Sequence, residues 1–599
     1  MKERVWTTDP VLPDKARTAF PDVHPVALRL LWSRGVRTQA EMDVFLEPDW
    51  DRDAYPSSMF RNMPAAVVRV FKAFETGERI TVHGDYDADG VCGTTVLMST
   101  MRDICRALST KGPQAFRPSG VQETPAGPRA FDASRLSSYI PHREKEGYGL
   151  SVATMEKLAA EGTKLVITVD CGISNKDAID RGKELCVDTI VCDHHAMPTE
   201  LPDAAILLHP QVPGETYPNK HLCGTGVAFK FASALIHEAQ RRLPADRQVA
   251  LPKGCEKWLL DLVAIATVTD VMPLTGENRV LEAYGLKVLN KTKRVGLKKL
   301  IEVAGSKGAH GTFSVGFQIG PRLNAAGRMD HANVALYLLL EEDEMAATEL
   351  AMRLNDTNAQ RQKASEAMYQ EAKKIIGEPA KNVIVVWNEG WPAGLVGLVA
   401  GKLVNDFSRP VYVVGKEGEK FVGSGRTFGG FDVTAALHRC DGNLDRFGGH
   451  PQACGFSVTG EERFSKAVRL LEKHAETVIK EEDLAPTLKI DADLQLSDLS
   501  WSLFEQVSKL EPFGEKNPRP VFAARGVSVV ACDTVGEGKH LRLTARAADG
   551  KMAKFIGFRL GECLPWLAPG TAVDLAFELG VNEWNGRKEL QMKVVDIKV

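Results

Sequence analysis

The stretch HGDYDADG, residues 83–90, places one imidazole and three carboxylates within seven positions: His83, Asp85, Asp87 and Asp89. The same chemistry recurs downstream as Asp170 in TVDCG, as Asp193, His194 and His195 in CDHH, and as Asp270 in TVTDVMPL. Carboxylates this close raise one another's pKa and cost stability unless a positive charge joins them. A lone Asp after an apolar run is readily explained as a helix N-cap. Four separate apolar runs that all end in carboxylates or imidazoles are not. Bound divalent cations remove the repulsion, and mixed Asp and His donors favour Mn²⁺ or Mg²⁺ over thiolate-seeking metals. The candidate ligands exceed what one ion needs, so two ions are expected. A pair about 3.5–4 Å apart can activate a water and stabilise both oxygens of an in-line phosphoryl displacement.

The elements that must position these residues are visible as alternation. RITVHGD is followed by GVCGTTVLMSTMRDICRAL, KLVITVDCG by NKDAIDRGKEL, and DTIVCDHH by GVAFKFASALIHEAQRRL. Short apolar run, then helical pattern, indicates βαβ units and a parallel sheet. In such sheets sites form beyond the carboxyl ends of the strands, where the polar residues sit. WLLDLVAIATVTDVMPL reads as a buried helix ending near Asp270.

The rest of the 599 residues divides by character. We expect an N-terminal segment over 1–60, the parallel-sheet domain over 61–330, a helical connector over 331–379, a second α/β domain over 380–480, and a β-barrel over 481–599. Residues 108–137, rich in Pro, Gly and Ser and without periodicity, read as an inserted loop. The last segment has short alternating strands and an Asn-Gly hairpin signal in WNGRKE, which fits an OB-like barrel. Net charge is −3, so nucleic-acid contact would have to come from local patches. Nothing approaches a membrane span, and the N-terminus lacks a secretory apolar stretch, so a cytoplasmic protein is expected. The eleven cysteines are scattered and never spaced as C-x-x-C, which argues for reduced thiols.

DYDADG and DHH together resemble the DHH phosphoesterase superfamily. YIPHREKEGYGL, TVDCG, TVTDVMPL, GFQIGPRLNAAGRM, GSGRTFGGFDV and RFGGHPQACGFSV follow in order. That series resembles the superfamily's bacterial single-strand-specific 5′→3′ DNA exonucleases, from about residue 50 to the end. The resemblance implies that His83, Asp87, Asp89, Asp170, His194 and Asp270 are metal ligands, Asp170 bridging. It implies that Asp85 supports catalysis, that Asp193 orients the histidines, and that His195 faces the substrate phosphate. A ligand imidazole usually needs such an acceptor for its other nitrogen. FGGH belongs to the associated second domain: Gly448 and Gly449 would open backbone N–H groups to a phosphate, and His450 would reach the scissile phosphate or leaving oxygen. Arg143, Arg322, Asn324, Arg328, Ser424 and Arg426 are candidates for gripping the 5′ end, Arg because its planar fork holds two phosphate oxygens. One departure is Pro392, which stands in GWPAGLVG where the family often has His.

An OB-like barrel would hold the strand on a cationic groove with aromatic platforms. Lys539, His540, Arg542 and Arg546 lie on one alternating strand, and Trp584 and Trp566 are possible stackers, although Trp566 reads more naturally as core. The implied activity is release of mononucleotides from single-stranded DNA in repair and recombination. A single-strand-binding protein and a RecQ-type helicase are the implied partners. The competing readings are a DHH phosphodiesterase for short oligonucleotides or cyclic dinucleotides, and a non-catalytic DNA-binding scaffold.

Overall fold

The structure, a computed structural model, describes residues 4–9, 12–108, 133–203, 205–379, 381–584 and 586–599. After β1 (Val5–Thr8), the first domain is a five-stranded parallel sheet of β2 (Arg79–Gly84), β3 (Leu136–Tyr139), β4 (Thr163–Val169), β5 (Asp188–Cys192) and β6 (Ala205–Leu208). Its order is β3-β2-β4-β5-β6. From β2 the chain crosses to one side to form β3 and then returns to the other for β4. The crevice beyond the ends of β2 and β4 is therefore a topological switch point, where ligands collect in open parallel sheets. These strands are buried on both faces, which is why they read as unbroken apolar runs.

The inserted loop expected over 108–137 is shorter at both ends. Leu108 closes the helix Ala88–Leu108, and residues 136 and 137 already pair with β2 as part of β3. Residues 109–132, the body of that expected loop, lie outside the described residues.

The helical connector is not a free spacer. Asn333–Leu340 packs into the first core. The helix Glu344–Ile376 has 33 residues, about 50 Å at the usual rise. Asp343 caps it, accepting from the N–H groups of Met345 and Ala346. Ala347, Ala351 and Leu354 belong to the first core, Met368 and Ala372 to the next. One rigid element thus fixes the second domain against the first. That second domain is a mixed sheet, β10 (Arg446–His450), β11 (Ala453–Thr459), β9 (Lys420–Arg426), β8 (Val411–Glu417) and β7 (Ile384–Glu389), in that order.

β12 (Thr487–Ile490) and β13 (Ala492–Asp493) lead into a closed barrel of β14 (Phe522–Val535), β15 (His540–Arg546), β16 (Met552–Gly557), β17 (Ala572–Trp584) and β18 (Arg587–Lys598), with β14 paired to β17 at closure. The N-terminal segment does not stand apart. β1 pairs in parallel with β12, and Leu28, Leu31, Met42 and Phe45 share one core with Phe522, Leu543 and Phe577. The buried Arg279 joins this unit to the first domain. Its guanidinium donates to the carbonyls of Phe45, Lys509, Glu511 and Pro512.

Candidate active site

Each strand end delivers its polar residues in a fixed pose. Asp87 caps the helix that follows β2, its Oδ1 accepting from the N–H groups of Asp89 and Gly90 at 2.9 and 3.1 Å. Asp89 is held by a different helix. Its two oxygens accept from the N–H groups of Gly224 and Thr225, both at 2.7 Å, at the start of Gly224–Arg242. A side chain at Gly224 would sit 2.7 Å from Asp170 Cβ, so only glycine lets that helix end reach the crevice. Asp170 itself adopts a left-handed backbone, φ 61°, directly after β4. Non-glycine residues in that region are held there by their surroundings and cluster at functional sites.

The DHH triad divides its labour. Asp193 Oδ1 accepts from the backbone N–H groups of His194 and His195 and from His195 Nδ1, the last at 2.8 Å. Its Oδ2 takes the N–H of Ile173 at 2.9 Å. Burial pushes this carboxyl up, but the hydrogen bond and charge of His195 outweigh it and hold Asp193 well below the usual carboxylate range. Burial likewise lowers His195, but the bond to Asp193 and the charges of Asp270 and Asp85 hold it at about 9. His194 goes the other way, to about 4, through burial and the neighbouring His195. Its Nε2 lies 3.1 Å from Asp170 Oδ1, 3.5 Å from Asp270 Oδ2 and 3.7 Å from Asp89 Oδ2.

Ligand atoms converge in three overlapping groups, each within 4.8 Å: Asp85 with Asp87 and Asp170; Asp89 with His194 and Asp270; and Asp170 with His194 and His195. Asp170 is common to two of them. His83, fully buried, stands outside these groups and stacks on Tyr139. Burial lowers its imidazole to about 4, so it is neutral and able to donate a lone pair.

A divalent cation fits this donor set. Asp85 Oδ1, Asp270 Oδ2 and His83 Nε2 are buried without a hydrogen-bond partner, which a folded protein avoids unless something else satisfies them. In the cation-free chain, burial and mutual repulsion push Asp85, Asp87, Asp170 and Asp270 up. Oxygen and imidazole donors suit Mn²⁺ or Mg²⁺. The thiol nearest His83, Cys171, is driven far up by burial and by Asp193, and so stays protonated.

Beside the anionic crevice lies a cationic one. Arg143 stacks on the Tyr86 ring at 4.8 Å. Arg328 donates to the carbonyl of Gly394 at 3.1 Å, and Arg426 to Ser424 Oγ at 2.7 Å. Burial and neighbouring arginines lower Arg328 to about 10. Ser424 Oγ in turn donates to the carbonyl of Cys454. Arg322 is spent on Asn355 and the carbonyl of Gln318. Asn324 accepts from the N–H of Ala88 at 2.8 Å, so it braces the loop that carries Asp87. Pro392 precedes the helix Ala393–Phe407, whose Gly394 abuts Arg328; the position therefore borders the arginine cluster. Gly448, Gly449 and His450 lie on the exposed edge strand β10, and Gly449 has φ 143°. The His450 ring has no hydrogen-bond or ion-pair partner among the described residues.

Four contributors carry no signal that a one-dimensional pattern would find. Tyr148, within the EGYGL motif, donates to the carbonyl of Asp170 at 2.9 Å and lies 3.1 Å from His195 Nδ1. Gly224 and Thr225 are known only by the carboxylate they hold. Arg361, on the long helix, has a buried Nε without a hydrogen-bond partner. On the barrel two readings change. Trp566 is 55% exposed rather than core. Lys539 is paired with Glu537, and Arg542 with Asp533, so the charged face of β15 is largely neutralised. Only the backbone of Trp584 is described.

Fold and site together define a DHH-type phosphoesterase with an appended barrel. The DHH family N-terminal domain matches residues 79–267, the DHHA1 domain 380–477 and the RecJ OB domain 490–596. The single-stranded-DNA-specific exonuclease RecJ of Bacillus subtilis (strain 168) is 35% identical over 98% of this chain and 70% of its own length. That of Salmonella typhimurium is 32% identical over 96% of each. The crystal structure of RecJ in complex with Mn²⁺ from Thermus thermophilus superposes with a TM-score of 0.80 at 28% identity, over 99% of this chain and 79% of that one. The chain belongs to the RecJ family of single-stranded-DNA-specific exonucleases.

Proposed function

We propose that this protein is a single-stranded-DNA-specific exonuclease that removes mononucleotides from the 5′ end by metal-dependent phosphodiester hydrolysis, in repair and recombination. The observation that carries the reading is the meeting of Asp85, Asp87, Asp89, Asp170, His194 and Asp270 at one switch point, with orphaned buried oxygens among them. His83 completes the donor set. Two ions, Mn²⁺ or Mg²⁺, would be held there, with Asp170 shared; when bound they supply Lewis-acid activation of water and neutralise charge on the phosphate. Around them, Asp193 fixes the ring orientation of His195 and keeps it protonated, aimed at a phosphate oxygen. Asp85 stands beside the reacting phosphate as a supporting carboxylate. Arg143, Arg328, Ser424 and Arg426 grip the 5′ end, with Arg322 and Asn324 bracing that wall, and the enclosed end fixes the polarity. Gly448, Gly449 and His450 approach the leaving oxygen when β10 meets the substrate. The domain limits at 61–330, 380–480 and 481–599 belong to the same reading, although the first core runs on to Leu354 and the barrel core takes in Leu12 to Phe45.

Digestion of one single strand labelled at the 5′ end or at the 3′ end, in Mn²⁺, Mg²⁺ and chelator, tests it. We expect labelled mononucleotide first from the 5′ label, and no release in chelator. Release first from the 3′ label, or unaffected by chelator, would overturn it. A single-strand-binding protein and a RecQ-type helicase are the partners proposed, and failure of either to co-sediment with the purified chain would remove it. No helix among the described residues is long and apolar enough to cross a membrane, and we place the protein in the cytoplasm.

A further inference from the structure

Two of the most exposed large apolar side chains in the molecule sit together. Phe313 is 68% exposed and Phe317 70%, and their rings stack 4.9 Å apart at 29°. Large rings belong in cores, so a paired, open display of them marks a contact surface. Phe313 lies in the helical turn Thr312–Ser314 and Phe317 in the π-helical turn Val315–Ile319 that continues it, a conformation frequent at functional positions.

The pair is tied to the reaction centre through rigid contacts. The π-turn runs straight into the helix Gly320–Met329, which carries Asn324 and Arg328. At the junction a Cβ on Gly320 would meet Thr269 at 2.3 Å, so this junction packs directly on the residue before Asp270. On the other side Thr312 Oγ1 donates to the carbonyl of Phe513, in the segment leading into the barrel. Both rings line a cleft of about 960 Å³. Asn324, Arg328 and Arg361 line it too, and so does Lys593 of the barrel. One cleft therefore joins the arginine cluster to the barrel, with aromatic rings and an orphaned guanidinium nitrogen on its walls.

We propose that Phe313 and Phe317 are a base-stacking platform for the substrate strand on its way from the barrel to the active site, with Arg361 countering a phosphate beside it. The occupant is single-stranded DNA because the stacked π-faces of Phe313 and Phe317 share the cleft with Arg328, Arg361 and Lys593, the combination that binds unpaired bases without regard to sequence. Bases in a duplex have both faces covered and cannot use it, so the platform contributes to single-strand specificity. The inference rests on the proposed location of the reaction centre.

The test measures binding of a single strand of about 30 nucleotides by fluorescence anisotropy in an Asp170→Asn background, where no hydrolysis competes. The Phe313→Ala/Phe317→Ala pair should weaken binding on the order of tenfold or more, at an unchanged melting temperature. In the hydrolysing chain the KM increase on that strand should exceed the increase on a dinucleotide about tenfold. Phe317→Tyr, which keeps a ring, should retain binding. A strand carrying abasic positions over the platform should lose affinity for the native chain but not for the alanine pair. Unchanged binding by the alanine pair overturns the proposal, as do equal losses on dinucleotide and long strand, or a tyrosine variant as weak as alanine. If Asp170→Asn still hydrolyses DNA, the reaction centre has been misplaced. The anisotropy difference, measured in chelator, then still reads the platform by itself.

Discussion

Two clusters of like charge lie side by side, and they are built in opposite ways. The anionic one is made of short side chains at strand and helix ends, three of them held by backbone N–H groups: Asp87 by Asp89 and Gly90, Asp89 by Gly224 and Thr225, Asp193 by Ile173, His194 and His195. The cationic one is made of long side chains from four separate places, Arg143, Arg328, Arg361 and Arg426. None of these four forms an ion pair among the described residues. Short groups on rigid supports give the ångström-level placement that chemistry needs. Long, weakly tethered forks give a pocket that can close on a phosphate. Neither is neutralised among the described residues: the first requires a cation and the second an anion, and the substrate brings the two requirements together.

The sharpest way to break this division is to exchange effects between the clusters. Asp170→Ala should lower hydrolysis on the order of 10³-fold or more while single-strand affinity stays within a few-fold. Steady-state rates beside anisotropy check it. Loss of binding in step with loss of rate would mean that the anionic cluster holds the strand as well as cutting it. Arg426→Ala should act the other way, reducing the preference for a 5′-phosphorylated end about ten- to a hundredfold with a smaller effect on overall affinity. Competition between 5′-phosphate and 5′-hydroxyl strands measures it, and an unchanged preference removes Arg426 from the pocket. Arg361→Met should weaken binding roughly tenfold and flatten its salt dependence by about one charge. A salt slope equal to that of the native chain would show that Arg361 touches no phosphate.

The difference between the clusters also explains what could be read from the sequence. His83 to Asp89, Asp170 and Asp193 to His195 each follow a strand's apolar run, and a parallel sheet forces such ends to one edge, so pattern alone brings them together; Asp270 ends a buried helix, which the sheet does not place. The arginines have no such constraint. Arg143, Arg328 and Arg426 are legible only through motif resemblance, and Arg361 is not legible because a cation in a long polar helix looks like any solvated one. Tyr148 escaped for a related reason: its bond to the carbonyl of Asp170 depends on a turn, not on a spacing. Register hid the rest. Arg542 sits directly across from Asp533, so a face that reads as cationic along the strand is paired across it. The N-terminal segment shares the barrel's core because β1 pairs with β12, a strand hundreds of residues away for which no local signal exists.

The smallest effect expected separates the clusters by pH. In the cation-free fold Asp85, Asp87, Asp170 and Asp270 bind protons more tightly than in the unfolded chain. Their contribution to stability is therefore fully present below the usual carboxylate pKa and is lost as pH rises through the raised values. Mn²⁺ replaces those protons, so the thermal stabilisation it confers should grow as pH rises above the usual carboxylate range, by on the order of 1 kcal/mol at moderate saturation. Sulfate, doubly charged above that range, should stabilise through the arginines. Arg328, at about 10, stays charged at neutral pH and below, so the sulfate increment should be flat with pH. Melting curves with each ion at several pH values provide the measurement. A Mn²⁺ increment that does not change with pH would place the cation away from the raised carboxylates. A sulfate increment that climbs with pH would show the anion bound somewhere other than beside these guanidinium groups.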